Sequence, residues 1–287
     1  MVKRLSQTAR SEVPIARAIT WPAYGTGFER GEIPRNFEGG PAFTLRLPTP
    51  KTVHVWAGPL DVPEPELAAF KKTLSQSELE RATRFHFDDD RSRYIVAHGW
   101  LRQLLSSYVS VAPEELELDY GPKGKPALSG FCGGTGLEFN LTHADGLSLI
   151  AVAQGTPVGV DLERIRPMAD AEHLVERFFS KSENAAFKVL PENQKAQAFF
   201  NLWTRKESWL KSTGEGIAHL LDQVEVTFAP ADSARLLRMP EAFAPITDWS
   251  LCDLAPAPGF AAALAVAAAD AQPECRRWDH TRKGLHL

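Results

Sequence analysis

The 287-residue chain predicts an α+β fold made of two similar halves. Three observations carry that expectation. Two long helical patterns, 91–109 and 192–213, each lead into a set of strand patterns. Those sets close on comparable segments, "GLSLIAVAQ" and "GFAAALAVAAA", so that order and pattern repeat without identity. At 44% hydrophobic and 24% charged residues, the chain has the composition of an ordinary soluble protein, long enough for two modest cores.

The expected organisation is an extended arm over 1–50, a first α+β half over 51–155, a second over 156–272 and a tail over 273–287. Residues 1–50 mix Pro, Gly, Arg and isolated aromatics without a period, as an arm that is partly disordered or draped over the body. "TVHVWAGPL" alternates at Val53 and Val55 and predicts the first strand. "SQSE" (75–78) has the form of a capping box and opens a short helix to Phe85. "DDD" (88–90) offers N-caps for the helix over 91–109, with Ile95, Leu101, Leu104, Leu105 and Tyr108 inward.

"LELDYG" reads as a short strand and "GPKGKP" (121–126) as a loop carrying Lys123 and Lys125. "GLEFNL" alternates as a strand ending at Thr142 and His143. "LSLIAVA" and "VGVDLERI" follow as strands joined by the tight connection "QGT", the spacing of a hairpin. Helices are expected near 170–179 and 181–190, with Pro191 as a break before the helix over 192–213 and Gly214 as its stop. "VEVTF", "WSLCDL" and "AALAVAA" are the remaining strands. The last has helical propensity, but Pro258–Gly259 starts it and its counterpart in the first half alternates.

A net charge of −4 argues against general nucleic-acid binding while leaving room for a local basic pocket. The three cysteines are scattered, without metal-ligand spacing or a disulfide framework, so a reducing, cytoplasmic setting is expected. No run of about 18 apolar residues predicts a membrane span. "GPKGKP" lacks the ending of a Walker A loop, and no nucleophile elbow or zincin motif is present.

"LWTRKESWLKSTGEG" (202–216) places lysines on an amphipathic helix. At about 100° per residue, Phe199, Leu202, Trp203, Trp209 and Leu210 form one stripe, with Lys206 near its centre and Glu207 at its edge beside Lys211. A solvated i,i+4 pair would account for Glu207 and Lys211 if they stood alone. Lys206 needs water or an anion at the end of its stem. In "PVGVDLERI", Asp161 and Glu163 share the strand face opposite Val158, Val160 and Leu162, roughly 6.5–7 Å apart at Cα. Two carboxylates at that spacing suit a hard cation such as Mg²⁺, although the same pattern also describes a half-buried strand with an acidic outer face.

Five segments, "GKPAL", "FNLTH", "GVDLE", "RFFSKSE" and "LWTRKESWLKSTGEGI", stand in the order and at the spacing of the Sfp-type 4′-phosphopantetheinyl transferases, which residues 52–270 resemble. The resemblance implies two pseudo-symmetric α+β halves with the active site in the cleft between them. It implies transfer of the phosphopantetheine arm of coenzyme A to a serine of an acyl, peptidyl or aryl carrier protein, with Mg²⁺ required and 3′,5′-ADP leaving. Carried over by motif, Asp161, Glu163 and Glu207 would surround the metal, with Glu207 also a candidate base. Lys206 and Lys211 would hold the diphosphate, and Lys125, Thr142 and His143 the 3′-phosphoadenosine end, with Lys123 a further candidate. Glu183 matches a position near the metal.

Glu78 departs from relatives that carry lysine there. Arg81 would take over part of that contact, and Arg91 and Arg93 both fit the next basic position. The apolar surface around 167–179 is the expected carrier-docking face. The implied protein is a monomer with no nucleic-acid or membrane partner. Two competing readings of the same residues are a Mg²⁺-dependent phosphohydrolase and a silent carrier-binding or coenzyme A-binding protein.

Overall fold

A computed structural model describes residues 19–21, 45–216 and 220–278. In chain order the strands are β1 (Ile19–Thr20), β2 (Thr52–Pro59), β3 (Leu118–Tyr120), β4 (Pro126–Leu128), β5 (Leu137–Ala144), β6 (Leu147–Gln154), β7 (Val158–Arg164), β8 (Glu225–Val226), β9 (Leu236–Arg238), β10 (Ser250–Ala255), β11 (Phe260–Val266) and β12 (Gln272–Arg277). The helices are α1 (Glu64–Thr73), α2 (Gln76–Ala82), α3 (Asp88–Val109), α4 (Ala171–Phe178), α5 (Lys181–Lys188) and α6 (Glu192–Thr213).

Two four-stranded sheets form, in the orders β12-β2-β6-β5 and β1-β10-β11-β7. They pack face to face. Alternate residues of β2 and β6 (Val53, Val55, Leu149, Ala151) meet alternate residues of β7 and β11 (Val158, Val160, Leu162, Leu264) in one apolar layer. The outer face of the first sheet, with Trp56, Ile150 and Val152, is covered by Trp100, Leu101, Leu104 and Leu105 of α3. The outer face of the second, with Leu251, Ala261 and Ala265, is covered by Phe199, Leu202, Trp209 and Leu210 of α6. Period-2 alternation in the strands therefore separates an inter-sheet layer from two helix-covered layers.

The halves repeat in detail. Both long helices have 22 residues and end on a left-handed C-cap, Ser110 (φ 56°) and Gly214 (φ 74°). A short helix with a full capping box precedes each: Ser75 with Glu78 in α2, and Ser180 with Glu183 in α5. Each capping-box glutamate then reaches a buried cation on the long helix. Arg102 Nε donates to Glu78 Oε2 at 2.7 Å, and Lys206 Nζ donates to Glu183 Oε2. The repeat expected from the strand and helix order is thus present at the level of single ion pairs.

Several expectations are corrected. Helix α1 is an addition to the expected elements; Pro65 in its first turn, with Glu64 and Glu66, is its N-terminal signal. Asp88–Asp90 fill the first turn of α3, after Phe87 as N-cap, where their carboxylates oppose the helix dipole. The hairpin expected across "QGT" does not form, because β6 and β7 belong to different sheets and the connection crosses from one half to the other. "VEVTF" yields only the two residues of β8. "AALAVAA" is a strand, as its alternation indicated, with β10 and β7 on either side of β11.

The terminal segments cross over. Strand β1, within the expected arm, runs parallel to β10 of the second half, and β12, mostly within the expected tail, runs parallel to β2 of the first. Trp21 is buried and its Nε1 donates to Arg276 O at 2.9 Å. Trp278 N donates to Ala57 O at 2.8 Å, while the indole stacks on Trp100 with ring centroids 5.1 Å apart. The rest of the expected arm and tail, residues 1–18, 22–44 and 279–287, lies outside the described residues, as does Ile217 of the last quoted motif.

Candidate active site

The site begins with a glycine. On β7, Gly159 faces α6, and a Cβ there would stand 2.1 Å from Ser208 O and 2.3 Å from Ser212 N. The missing side chain lets the helix backbone settle onto the strand, a close approach that glycine alone permits. Two residues on, Asp161 points to the same side and meets the helix face that carries Glu207 and Lys211. Strand β5 of the other half lies along the free edge of β7. Asn140 Oδ1 accepts from Val160 N at 2.9 Å, so a side chain stands where a ladder bond would otherwise be. Thr142, two residues along β5, then reaches Asp161.

The contacts are close. Lys211 Nζ donates to Asp161 Oδ1 at 2.5 Å and to Thr142 Oγ1 at 3.3 Å. The Thr142 hydroxyl donates to Asp161 Oδ1 at 3.3 Å. Asp161 Oδ2 and Glu207 Oε1 are buried without a hydrogen-bond partner. Burial first, and then the charges of Asp161 and Glu163, push the Glu207 pKa up to about 7 against the opposing pull of Lys211. Glu163 is also raised, by burial and then by Asp161. His143 lies exposed at the margin; shielding by surrounding protein, then His98 and Lys211, lower its pKa.

The structure brings together Asp161, Glu163, Glu207, Lys211 and Thr142, with His143 beside them. Lys206 is elsewhere. It is fully buried, its ammonium satisfied by Glu183, by Leu221 O at 2.7 Å and by the Phe179 ring 4.6 Å away. The central position of Lys206 in the apolar stripe thus reflects a structural ion pair, and the expectation that it faces the cleft is corrected. Glu183 is engaged in the same pair and donates nothing to the seam; its second oxygen accepts from Val226 N at 3.1 Å.

The remaining basic candidates are spread out. Lys125 Nζ is bonded to Ser212 O and Val158 O. Lys123 is exposed and lies near Gly216. Arg81 is exposed, 5.8 Å from the Tyr94 ring centroid. Arg91 is bonded to Asp88 and to Phe85 O. Arg93 forks onto Asp61 at 2.7 and 3.1 Å and contributes to the field at His143. Glu78 is a buried partner of Arg102, Ser75 and His98, so its place in the motif is structural. Sequence reasoning missed Gly159 and Asn140. A glycine inside an otherwise apolar strand was the available signal for the first, and the second lies within "FNLTH", where only Thr142 and His143 are singled out.

Among the described residues, no group of three or more His, Cys, Asp or Glu forms a ready metal cage. The donor chemistry nevertheless fits a Mg²⁺ ion. Such an ion takes one or two carboxylates and completes its shell with water and substrate phosphates. Two buried carboxylate oxygens lack partners here, and a third carboxylate lies close enough to raise the Glu207 pKa.

Carboxylates and an ammonium group at a seam between like halves define a site suited to phosphoryl-group transfer. Comparison with known proteins places it more narrowly. Residues 157–265 match the 4′-phosphopantetheinyl transferase superfamily, and residues 62–155 match the 4′-phosphopantetheinyl transferase N-terminal family. The chain is 41% identical over 222 residues to the 4′-phosphopantetheinyl transferase HetI of Nostoc sp., covering 77% of this chain and 90% of the relative. It is 28% identical to psf-1 of Bacillus pumilus, covering 63% and 74%, and 24% identical to Sfp of Bacillus subtilis, covering 61% and 75%; both bear the same enzyme name. The chain belongs to the 4′-phosphopantetheinyl transferase superfamily and is one of its enzymes.

Proposed function

We propose that the protein moves the 4′-phosphopantetheine arm of coenzyme A to a serine hydroxyl of an apo acyl, peptidyl or aryl carrier protein, releasing 3′,5′-ADP in a Mg²⁺-dependent reaction. One observation carries this reading: Glu207, buried with an unpartnered oxygen, stands on the same helix face as Lys211, which is bonded to Asp161. A carboxylate within reach takes the proton of a weak nucleophile or helps to hold the metal, and a fixed cation meets the charge that develops on a leaving phosphate.

The serine oxygen forms a bond to the phosphorus that carries pantetheine, and the bridging P–O bond of the diphosphate breaks. The serine proton passes to Glu207, directly or through water. Lys211 turns from Asp161 toward the leaving phosphate, and Thr142 and His143 lie beside it to hold the nucleotide end. Asp161 and Glu207, with Glu163 beside them, would hold Mg²⁺, which when bound neutralises diphosphate charge. Arg93 at the His143 margin and Lys123 on the loop remain candidates for the 3′-phosphate. Most apolar side chains of the face expected around 167–179 pack into the core, Ala171, Val175 and Phe179 among them, so that the exposed ring of Phe178 at the end of α4 is the apolar group left there for a carrier. No described helix is long and apolar enough to cross a membrane, and the three cysteines are free, in keeping with a reducing setting.

The test is incubation with coenzyme A, Mg²⁺ and a panel of apo acyl, peptidyl and aryl carriers. Mass spectrometry should show each accepted carrier gaining one arm. Absence of any gain across the panel overturns the proposal, and phosphate release without a carrier would favour the hydrolase reading.

A further inference from the structure

Lys125 lies on the β3–β4 hairpin of the first half, yet its ammonium crosses the seam. It donates to Ser212 O at 2.8 Å and Val158 O at 3.3 Å, and stands 3.7 Å from Glu138 Oε2. Each partner belongs to an element that carries the site. Ser212 follows Lys211 on α6, Val158 opens the strand of Asp161, and Glu138 lies on the strand of Thr142. The side chain is 18% exposed, and its stem runs beside Gly214, where a Cβ would lie 3.5 Å from Lys125 Cδ.

The last-turn carbonyls of a helix lack intrahelical donors. The cap N–H of Gly214 goes to Leu210 O, and Lys125 serves Ser212 O. A cation at that end also opposes the negative pole of the helix.

We infer that Lys125 is a positioning residue: it pins the last turn of α6 and the start of β7 against β5, and so fixes Lys211 against Asp161 and Thr142. The inference rests on the transferase reading and goes beyond the expectation from family resemblance that Lys125 grips the ligand. Its ammonium is spent on two backbone carbonyls and a carboxylate of the protein itself.

The test compares wild type, Lys125→Met, which keeps the length without the charge, and Lys125→Arg. Three quantities are read: kcat and KM for carrier modification, the affinity for 3′,5′-ADP, and amide exchange at residues 211–214. Positioning predicts that Lys125→Met lowers kcat about tenfold or more and speeds exchange in the last turn of α6 by a similar factor, since loss of one charged hydrogen bond is of that order. Affinity for 3′,5′-ADP should stay within about twofold, the scale at which no contact to that ligand has been lost. Lys125→Arg should recover much of both.

Weakened 3′,5′-ADP binding with unchanged exchange would make Lys125 a ligand contact and overturn the inference. If Lys125→Met does not fold, Lys125→Arg decides: slow exchange and retained kcat support positioning, and weakened 3′,5′-ADP binding with wild-type exchange opposes it. The exchange measurement needs no substrate. A wild type that modifies no carrier would therefore remove the transferase reading while leaving the Lys125 contact separately measured.

Discussion

Glu207 is held in surroundings that oppose its charge. Its pKa is raised from an ordinary carboxylate value to about 7, so between about pH 4.5 and 7 the folded protein keeps a proton that the unfolded chain has lost. The contribution of Glu207 to stability therefore falls as pH rises through that window, while His54, whose burial lowers its pKa to about 4, contributes in the opposite sense. In metal-free protein at pH 8, Glu207→Gln should be more stable than wild type by up to about 3 kcal/mol, an advantage that vanishes below about pH 4.5. Urea titrations at the two pH values check this, and equal stability at pH 8 contradicts it. The same variant should lose about 10²–10⁴-fold in kcat if the carboxylate is the base. Lys206 gives the opposite pattern. Lys206→Met leaves Glu183 buried without its cation and should cost about 3–5 kcal/mol without removing a group from the seam, whereas Lys211→Met leaves the buried Asp161 without its cation and should lose turnover as well as stability. The difference between the two lysines was not legible from helical angles, which placed Lys206 in the stripe but could not say what filled the space opposite. The two S-x-x-E motifs held the missing information, since each capping glutamate marks one end of a buried ion pair.

Among the elements, α6 and β7 together make the site, and Gly159 sets their separation. Gly159→Ala places a methyl group against Ser208 O and Ser212 N, neither of which is the movable end of a side chain. The helix must lift, with a destabilisation of about 1–3 kcal/mol as for other overpacked sites. Lys211 moves with it, so kcat should fall more than KM for coenzyme A changes; unchanged kcat would show that the close approach does not matter for activity. The alternation of Val158, Val160 and Leu162 made the Asp161 face readable before the fold was known. The same period marked β11 as a strand despite its alanines, because a tertiary partner on each side outweighs local helical propensity. The β6–β7 connection misled for a related reason. A short Gly-containing link fits a hairpin, and whether two strands pair or part depends on partners far along the chain.

At the scale of the whole molecule, the pairing of halves was legible in repeated order, but the exchange of terminal strands was not. Trp21 and Arg276 are 255 residues apart, and no local pattern announces such a contact. Trp278→Ala should destabilise the protein by about 3 kcal/mol, because it removes the ring stacked on Trp100 and edge-on to Phe70. Denaturant unfolding followed by tryptophan fluorescence measures it, and a midpoint equal to wild type would show that the crossing contributes little. The crossing also bears on the order of assembly. A ribosome delivers β2 well before β12, so the earlier sheet waits with one backbone edge open until Gln272–Arg277 have emerged. Nascent chains halted before Gln272 therefore present a bare strand to their neighbours, the situation that favours intermolecular pairing, and chaperone demand should fall once β12 has emerged.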